Sequence, residues 1–351
     1  MPMAGRRFLK VIHSRAPLRI NDIGGWTDTW FAGTGTVLNL AVDPPVEVQV
    51  KVLLNREGLR KRAEVFAENY DESFRFDPDR PRLDRHPLLQ HTVAAIPVPD
   101  QFRLEVRIFS PVPAGISTGT SASVAVALLG ALNLAAGGRR SPLQIAALAH
   151  RVETEGLKLQ SGIQDQISAA RGGITHIHMP RYPRARVRSV PLGRGIWDDL
   201  NRRLLLVYLG RPHRSSAMHE RVIARLEEAG PGFRPLESLK GLADRAREAL
   251  RAGDLNGYGR IMIRNNECQR DLHRDLISPE ADEIFRLARK WKAAGWKVNG
   301  AGGKGGSLTL LTNADDVLRR RLVRDIQSLG RGIRPLPATL SPLGLRAWRS
   351  F

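Results

Sequence analysis

Pro111-Val-Pro-Ala-Gly-Ile-Ser-Thr-Gly-Thr-Ser-Ala-Ser123 is the stretch on which the fold reading turns. An extended apolar run, Phe102 to Phe109, leads into it, and a small-residue apolar segment, Val124 to Ala136, leads out. That order reads strand, turn, helix. Small residues let the backbone come close to a ligand, and the first N–H groups of a helix have no partner inside it. The helix dipole adds positive character at the same end, so a phosphate is its natural ligand. The competing reading is an ordinary Ser/Thr-capped helix. No G-x-x-x-x-G-K-[ST] is present, so this is not a Walker loop.

Upstream, Lys10 to Ile23 reads as strand pieces around Pro17, and Gly24 to Trp30 as a turn exposing Asp28 between Trp26 and Trp30. Thr36 to Leu40 and Val46 to Leu53 read as two strands, the second with valine at every other position from 46 to 52. Arg56 to Arg85 reads as a hairpin plus a loop, and His86 to Ile96 as a short helix with surface histidines at 86 and 91. Downstream come three helices in series. The first runs over Ser121 to Ala136. The second, Leu143 to Leu157, opens on the cap Ser141-Pro142, and the third opens at Ser161 and stops at Gly172-Gly173. Ile174 to Met179 and Leu204 to Leu209 read as strands, and His176 with His178 is an H-x-H pair lacking a third metal ligand nearby in sequence. Helices follow over 238–251, 255–271 and 279–294, then a turn into a strand over 297–311 and a last helix over 314–329. The pattern predicts two α+β domains, 1–190 and 191–351, parted in the Arg-, Pro- and Gly-rich segment 180–201.

With 351 residues, 42% hydrophobic and 26% charged, the chain has the composition of a soluble globular protein. A lone cysteine, Cys268, excludes an internal disulfide framework and fits a reducing, cytoplasmic compartment. No signal peptide is read at the N-terminus, and no apolar run is long enough to span a bilayer. The net charge of +20 comes from 55 Lys and Arg against 35 Asp and Glu. Its arginines are scattered, with Arg181 to Arg188 the nearest thing to a cluster, and few aromatics are interleaved. That argues against nucleic acid as the partner. An anionic small molecule such as ATP profits from such a surface in any case.

Glu153 and Glu155 lie near the end of the second helix, and Asp165 at the start of the third. Carboxylates so placed can face one site. A nucleoside triphosphate needs Mg²⁺, which takes hard oxygens such as the Ser121 hydroxyl and the Glu153 carboxylate. Asp165 can accept the proton of an attacking hydroxyl, and Arg19 can offset its charge. Plain helix-end capping is the alternative for each acid.

Four stretches together resemble the GHMP kinases, which include galactokinase, homoserine kinase and mevalonate kinase. They are Arg15-Ala-Pro-Leu-Arg-Ile-Asn-Asp-Ile-Gly-Gly-Trp-Thr-Asp28, Pro113 to Ser123, Ser161 to Gly173, and Asn299-Gly-Ala-Gly-Gly-Lys-Gly-Gly306. The Gly-Gly-Trp-Thr-Asp version of the first is most like the fucokinase and heptose-phosphate kinase branch. Weaker echoes are Gly210 to Ser216, which includes Arg214 as a possible phosphate contact, and Asn266 to Glu280.

The resemblance implies a two-domain α+β fold, with a left-handed βαβ unit in the N-terminal domain and a ferredoxin-like C-terminal domain. It implies ATP and Mg²⁺ as cofactors and a sugar or sugar phosphate as acceptor, in a monomer or homodimer; a non-sugar alcohol is the alternative acceptor. A catalytically silent nucleic-acid binder on the same fold is the alternative from another class. Pro113, Gly115, Ser117, Gly119, Thr120, Ser121 and Ala122 would hold ATP. Ser121 and Glu153, with Glu155 its rival, would bind Mg²⁺, and Asp165 and Arg19 would be catalytic. Gly25, Trp26, Asp28, Gly302 and Gly303 would bind substrate, supported by Gly300 and Ala301. Two departures stand out: Ile116-Ser117-Thr118 is less glycine-rich than the family loop, and Lys304 replaces a glycine.

Overall fold

Valine at alternate positions buries one face of a strand, and it does so here within a strand longer than either expected piece. In the computed structural model, which describes residues 9–350 apart from 69, 70, 114, 214, 230 and 231, β1 is Lys10–Ile23 and β2 is the continuous Gly35–Leu54. Proline breaks neither strand, because the interruptions coincide. The β1–β2 register jumps from Ala16↔Val46 to Leu18↔Val42, so Pro17, Pro44 and Pro45 fall in one irregularity where no ladder N–H is needed. The expected hairpin is β3 Ala63–Ala67 with β4 Glu72–Phe76, followed by α1 Pro87–Ala94 and β5 Phe102–Phe109. Then come α2 Thr120–Ala135, α3 Pro142–Arg151 and α4 Gln164–Arg171. Ser141 and Gln144 cap α3 reciprocally.

The segment expected to contain the domain boundary carries secondary structure. It holds β6 Ile174–Arg181, β7 Arg184–Ser189 and α5 Arg194–Arg203, whose leucine at 200 is buried among charged neighbours. These strands build one sheet in the order β1-β2-β5-β3-β4, with β6 and β7 continuing from the first half of β2, and two strands from the end of the chain bring it to nine. The helix α2 is buried nearly all round, as its small apolar residues allow, and packs on β1 and β2.

The rest of the chain is β8 Leu204–Leu209, α6 Ser215–Ala229, α7 Arg234–Leu239, α8 Leu242–Arg251, α9 Leu255–Leu272, α10 Pro279–Lys290, β9 Gly295–Val298, β10 Ser307–Leu311, α11 Asp316–Gln327, β11 Ile333–Leu336, β12 Thr339–Leu340 and β13 Arg346–Ser350. A second, wholly antiparallel sheet has the order β11-β8-β10-β9. Its strands and main helices follow one another as β-α-β-β-α-β. Both faces of β8 are buried. Leu204, Leu206 and Tyr208 face the first core, and Leu205, Val207 and Leu209 face a second core with Ile284, Phe285 and Leu308. Among the described residues no helix is long and apolar enough to cross a membrane.

The sequence reading stops at the helix α11, but three short strands follow it. Two of them return to the first sheet, β12 on β2 and β13 on β1. A polar seam also joins the two sheets. Asp22 of β1 and Lys297 of β9 form a buried ion pair at 3.1 Å, 1% and 0% exposed. Lys297 Nζ also donates to the Val298 carbonyl, and Gly300 N donates to Asp22 Oδ1. Burial raises the Asp22 carboxyl, but the charges of Lys297 and Arg19 outweigh it and hold the group below its ordinary value. Beside the pair, Asn299 accepts from the backbone of Asn21 and from Thr309, and Asn21 donates to the Tyr258 hydroxyl.

Removing one partner of such a pair strands the other charge in a dry interior. Lys297→Met is therefore expected to cost about 3–5 kcal/mol in urea unfolding. Asp22→Leu combined with Lys297→Met should recover much of the loss, and a loss in the single variant below about 1 kcal/mol would show that the pair does not carry the seam.

Candidate active site

Gly119 is where the phosphate-type loop becomes helix α2. It adopts the left-handed conformation (φ 67°, ψ 25°) and no side chain caps the helix there. A Cβ at this position would lie 3.2 Å from Arg19 Cγ and 3.3 Å from the Asp165 carboxylate. Glycine thus lets the loop backbone rest on those two side chains. Ser117 is also left-handed (φ 60°), in the part of the loop that departs from the family pattern.

Arg19 reaches across from β1. Its Nε and Nη2 donate to the two oxygens of Asp165 at 2.7 and 2.9 Å, and its Nη1 donates to the Ser117 carbonyl at 2.6 Å. Burial acts to lower the Arg19 pKa, but Asp165 and Asp22 outweigh it and hold the guanidinium well above its ordinary value. It is a fixed cation.

Glu153 stands on a single π-helical turn, Val152–Gly156, that prolongs α3. Such turns are rare and frequent at functional sites. Burial pushes the Glu153 carboxyl up to about 7, and the nearby Asp165 charge adds to this. Ser161 Oγ and Gln166 Nε2 both donate to Glu153 Oε2, at 2.6 and 2.9 Å. Glu155, on the same turn, is exposed and lines neither cavity described below.

Two cavities meet at the Arg19–Asp165 pair. The larger, about 520 Å³, is lined by Gly115 to Ala122, Glu153, Lys158 to Ser161, Gln166 and His213. The smaller, about 80 Å³, is lined by Asp22, Trp26, Asp28, Thr29, Gly162 and Gln164. Arg19, Asp165, Ser161, Gly300 and Ala301 line both. An apolar cleft of about 340 Å³ adjoins the larger cavity and shares Leu88, Gly115, Thr120 and Ser121 with it.

Most residues named from sequence converge here, with exceptions. Pro113, Gly25, Gly302 and Gly303 line neither cavity. Gly302 and Gly303 pack on the Leu276 carbonyl and on His213 and Met218, and so shape the turn from behind. Lys304 is exposed and lines neither cavity. Arg214 lies outside the described residues. Asp28 is not exposed between its tryptophans. It is 2% exposed and accepts from Gln164 N and Nε2, because Gly162, with no side chain, lets helix α4 close over it.

His176 binds Asp244 and His178 binds Thr36, and among the described residues no cluster of three His, Cys, Asp or Glu could hold a metal. The Ser121 hydroxyl and the Glu153 carboxylate do face one cavity. Two hard oxygens suit Mg²⁺, which keeps waters and takes phosphate oxygens for the rest, and a carboxylate held near neutrality by burial gains from a cation. Sequence reasoning missed Asp22, Lys158, Ser161, Gln164 and Gln166. Two of the quoted stretches contain four of them, Arg15 to Asp28 holding Asp22 and Ser161 to Gly173 holding Ser161, Gln164 and Gln166, while Lys158 lies in neither.

Residues 88–173 match the family described as GHMP kinases N terminal domain. The chain is 28% identical over 324 residues to a bifunctional fucokinase/GDP-fucose pyrophosphorylase of Arabidopsis thaliana, covering 87% of this chain but only 30% of that protein. It is 24% identical over 311 residues to a D-glycero-alpha-D-manno-heptose 7-phosphate kinase of Campylobacter jejuni, covering 85% of this chain and 88% of that one. Over nearly all of the chain the fold is like that of a D-glycero-D-manno-heptose 1-phosphate kinase from Bacteriodes thetaiotaomicron, which superposes with a TM-score of 0.73, 20% identity, and coverage of 97% and 99% of the two chains.

Burial pushes the Asp28 carboxyl up to about 6, the Gln164 backbone bond opposes this, and the Asp165 charge adds to the rise. A raised carboxyl favours the protonated fold. Its contribution to stability is full below the unfolded value of 3.8 and is lost as pH rises through about 6. Asp28→Asn, which keeps the acceptor for Gln164, should therefore match the wild type in urea unfolding at pH 4 and exceed it at pH 8 by up to about 3 kcal/mol. Equal curves at both values would show that Asp28 is not held neutral by its burial.

Proposed function

We propose that the protein is an ATP- and Mg²⁺-dependent kinase that transfers the γ-phosphoryl group of ATP to a hydroxyl of a sugar or sugar phosphate. The observation that carries this reading is the sharing of Arg19 and Asp165 by two cavities of unequal size and character. The larger, with the loop backbone and the start of α2, suits a polyphosphate. The apolar cleft beside it suits a purine base. The smaller, with buried acceptors and the Trp26 ring, suits a compact hydroxylated acceptor. The names of the relatives, which are kinases of fucose and heptose phosphates, support the same acceptor class.

In the reaction an acceptor oxygen in the smaller cavity attacks the γ-phosphorus, its proton passes to a carboxylate oxygen of Asp165, and the bond to the β,γ-bridging oxygen breaks to leave ADP. An ionised carboxylate offers about four lone-pair sites, of which Arg19 occupies two, so Asp165 keeps acceptor capacity while the guanidinium fixes its orientation. Arg19 also faces the migrating phosphoryl group with charge that is already in place. Ser121 and Glu153 would hold Mg²⁺, which supplies charge neutralisation at the phosphates when bound. Ser161 and Gln166 hold the Glu153 carboxylate in its direction. The same reading takes 1–190 as the ATP-binding domain and 191–351 as the second domain, with a cytoplasmic location suited to the buried, free Cys268.

Asp165→Asn is expected to lower turnover by about 10²–10⁴ while leaving ATP affinity within about threefold. An ADP-release assay with Mg²⁺ over free sugars, sugar phosphates, mevalonate and homoserine checks both enzyme and acceptor. Near wild-type turnover in the variant would overturn the mechanism, and release with mevalonate or homoserine alone would move the acceptor to a non-sugar alcohol.

A further inference from the structure

The ionisable side chains lining the larger cavity are Arg19, Glu153, Lys158, Asp165, His213 and Glu220. Arg19 is already spent on Asp165 through two charge-assisted hydrogen bonds. Two carboxylates, Glu153 and Glu220, then stand against one further cation, Lys158. Among the described residues Lys158 is the one lining cation without a carboxylate partner. Apart from Arg19, whose donors are engaged by Asp165 and the Ser117 carbonyl, Lys158 is the basic side chain that a triphosphate meets among the described arginines and lysines lining this cavity, and the loop itself has no lysine of the Walker type.

Lys158 is also held in an unusual place. It is a non-glycine residue in the left-handed region (φ 55°), a conformation that persists when the surroundings impose it. The residues on either side are tied to the π turn: Leu157 N donates to the Val152 carbonyl at 3.0 Å, and Leu159 N donates to the Glu153 carbonyl at 2.9 Å. The backbone carrying Lys158 is thus fixed to the turn that presents Glu153. Lys158 lines the larger cavity and not the smaller one, which places its charge on the donor side.

We propose that Lys158 is a donor-phosphate contact, supplying from the π-turn loop the positive charge that the phosphate loop lacks. The proposal rests on the kinase reading above. A flexible four-carbon stem with three rotatable donors is suited to follow phosphate oxygens, while the anchored backbone keeps the charge opposite the loop.

The test is calorimetric titration of ATP with Mg²⁺, without acceptor, into wild type, Lys158→Gly, Lys158→Gln and Lys158→Arg. Glycine accepts the left-handed backbone and removes the whole side chain, and glutamine removes the charge while keeping most of the stem. Both should bind ATP about tenfold more weakly, with a shallower dependence on KCl, and arginine should stay within about threefold of wild type. At saturating ATP the acceptor KM should be unchanged. Wild-type ATP affinity and salt dependence in the glycine and glutamine variants would overturn the proposal, as would a change confined to acceptor KM. Failure of the wild type itself to bind ATP would instead remove the kinase reading on which it stands.

Discussion

The ion pair of Asp22 with Lys297 is the constraint on which the site depends. It lies where β1 of the first sheet meets the end of β9 in the second. A buried pair is weak evidence for net stability, since its charges must leave water. What it adds is register. Asp22 Oδ1 takes the Lys297 ammonium and the Gly300 amide together, so the strand bearing Arg19 and the turn bearing Gly300 and Ala301 are fixed by one oxygen. Gly300 then lies so near Arg19 that a Cβ there would be 3.2 Å from its Nη2. A second chain of amides gives the same alignment, from Gly24 N to Asn265, from Asn265 to Gln269, and from Gln269 to the Gly300 carbonyl.

This alignment gives Arg19 its double duty. Its guanidinium is held on Asp165 by two donors and on the loop by the third, so the carboxylate and the Ser117 carbonyl are oriented by one rigid plane. Phosphoryl transfer asks for position and charge more than for covalent chemistry. The geometry answers that demand from three separate stretches, β1, the Gly119 loop and the start of α4.

The glycine-rich loop, the acids at 153 and 165 and Arg19 were legible in the sequence, because residue type and spacing carry their chemistry. The choice between Glu153 and Glu155 was not. An α-helical reading through 157 assigns no special direction to either, and the π turn, which nothing in residue type announces, buries one and exposes the other. Asp28 was legible as an acid of the site but not as a buried one, since its cover depends on Gly162, far off in sequence. The continuity of β2 through Pro44 and Pro45 could not be read, because it requires Pro17 to lie opposite. The final strands were missed for a similar reason: β12 and β13 are short, and their pairing partners lie more than 290 residues upstream.

The charge of +20 belongs to the surface and not to the cavity. Lining the larger cavity are three carboxylates, at 153, 165 and 220, against cations at 19 and 158. Exposed charges act over a screening length of about 8 Å at physiological salt, so a diffuse basic surface raises the local concentration of any anion without choosing among them. Selection must come from inside, where the dielectric is lower and the excess is acidic. A polyanion without an accompanying divalent cation brings nothing to offset the carboxylate of Glu153 where it lines that cavity. A polyanion carrying one presents to Glu153 the partner that a carboxyl raised to about 7 by burial lacks. On the proposed kinase reading, the acidity of the cavity, set inside a basic molecule, would favour a phosphate that brings a divalent cation with it over a bare anion.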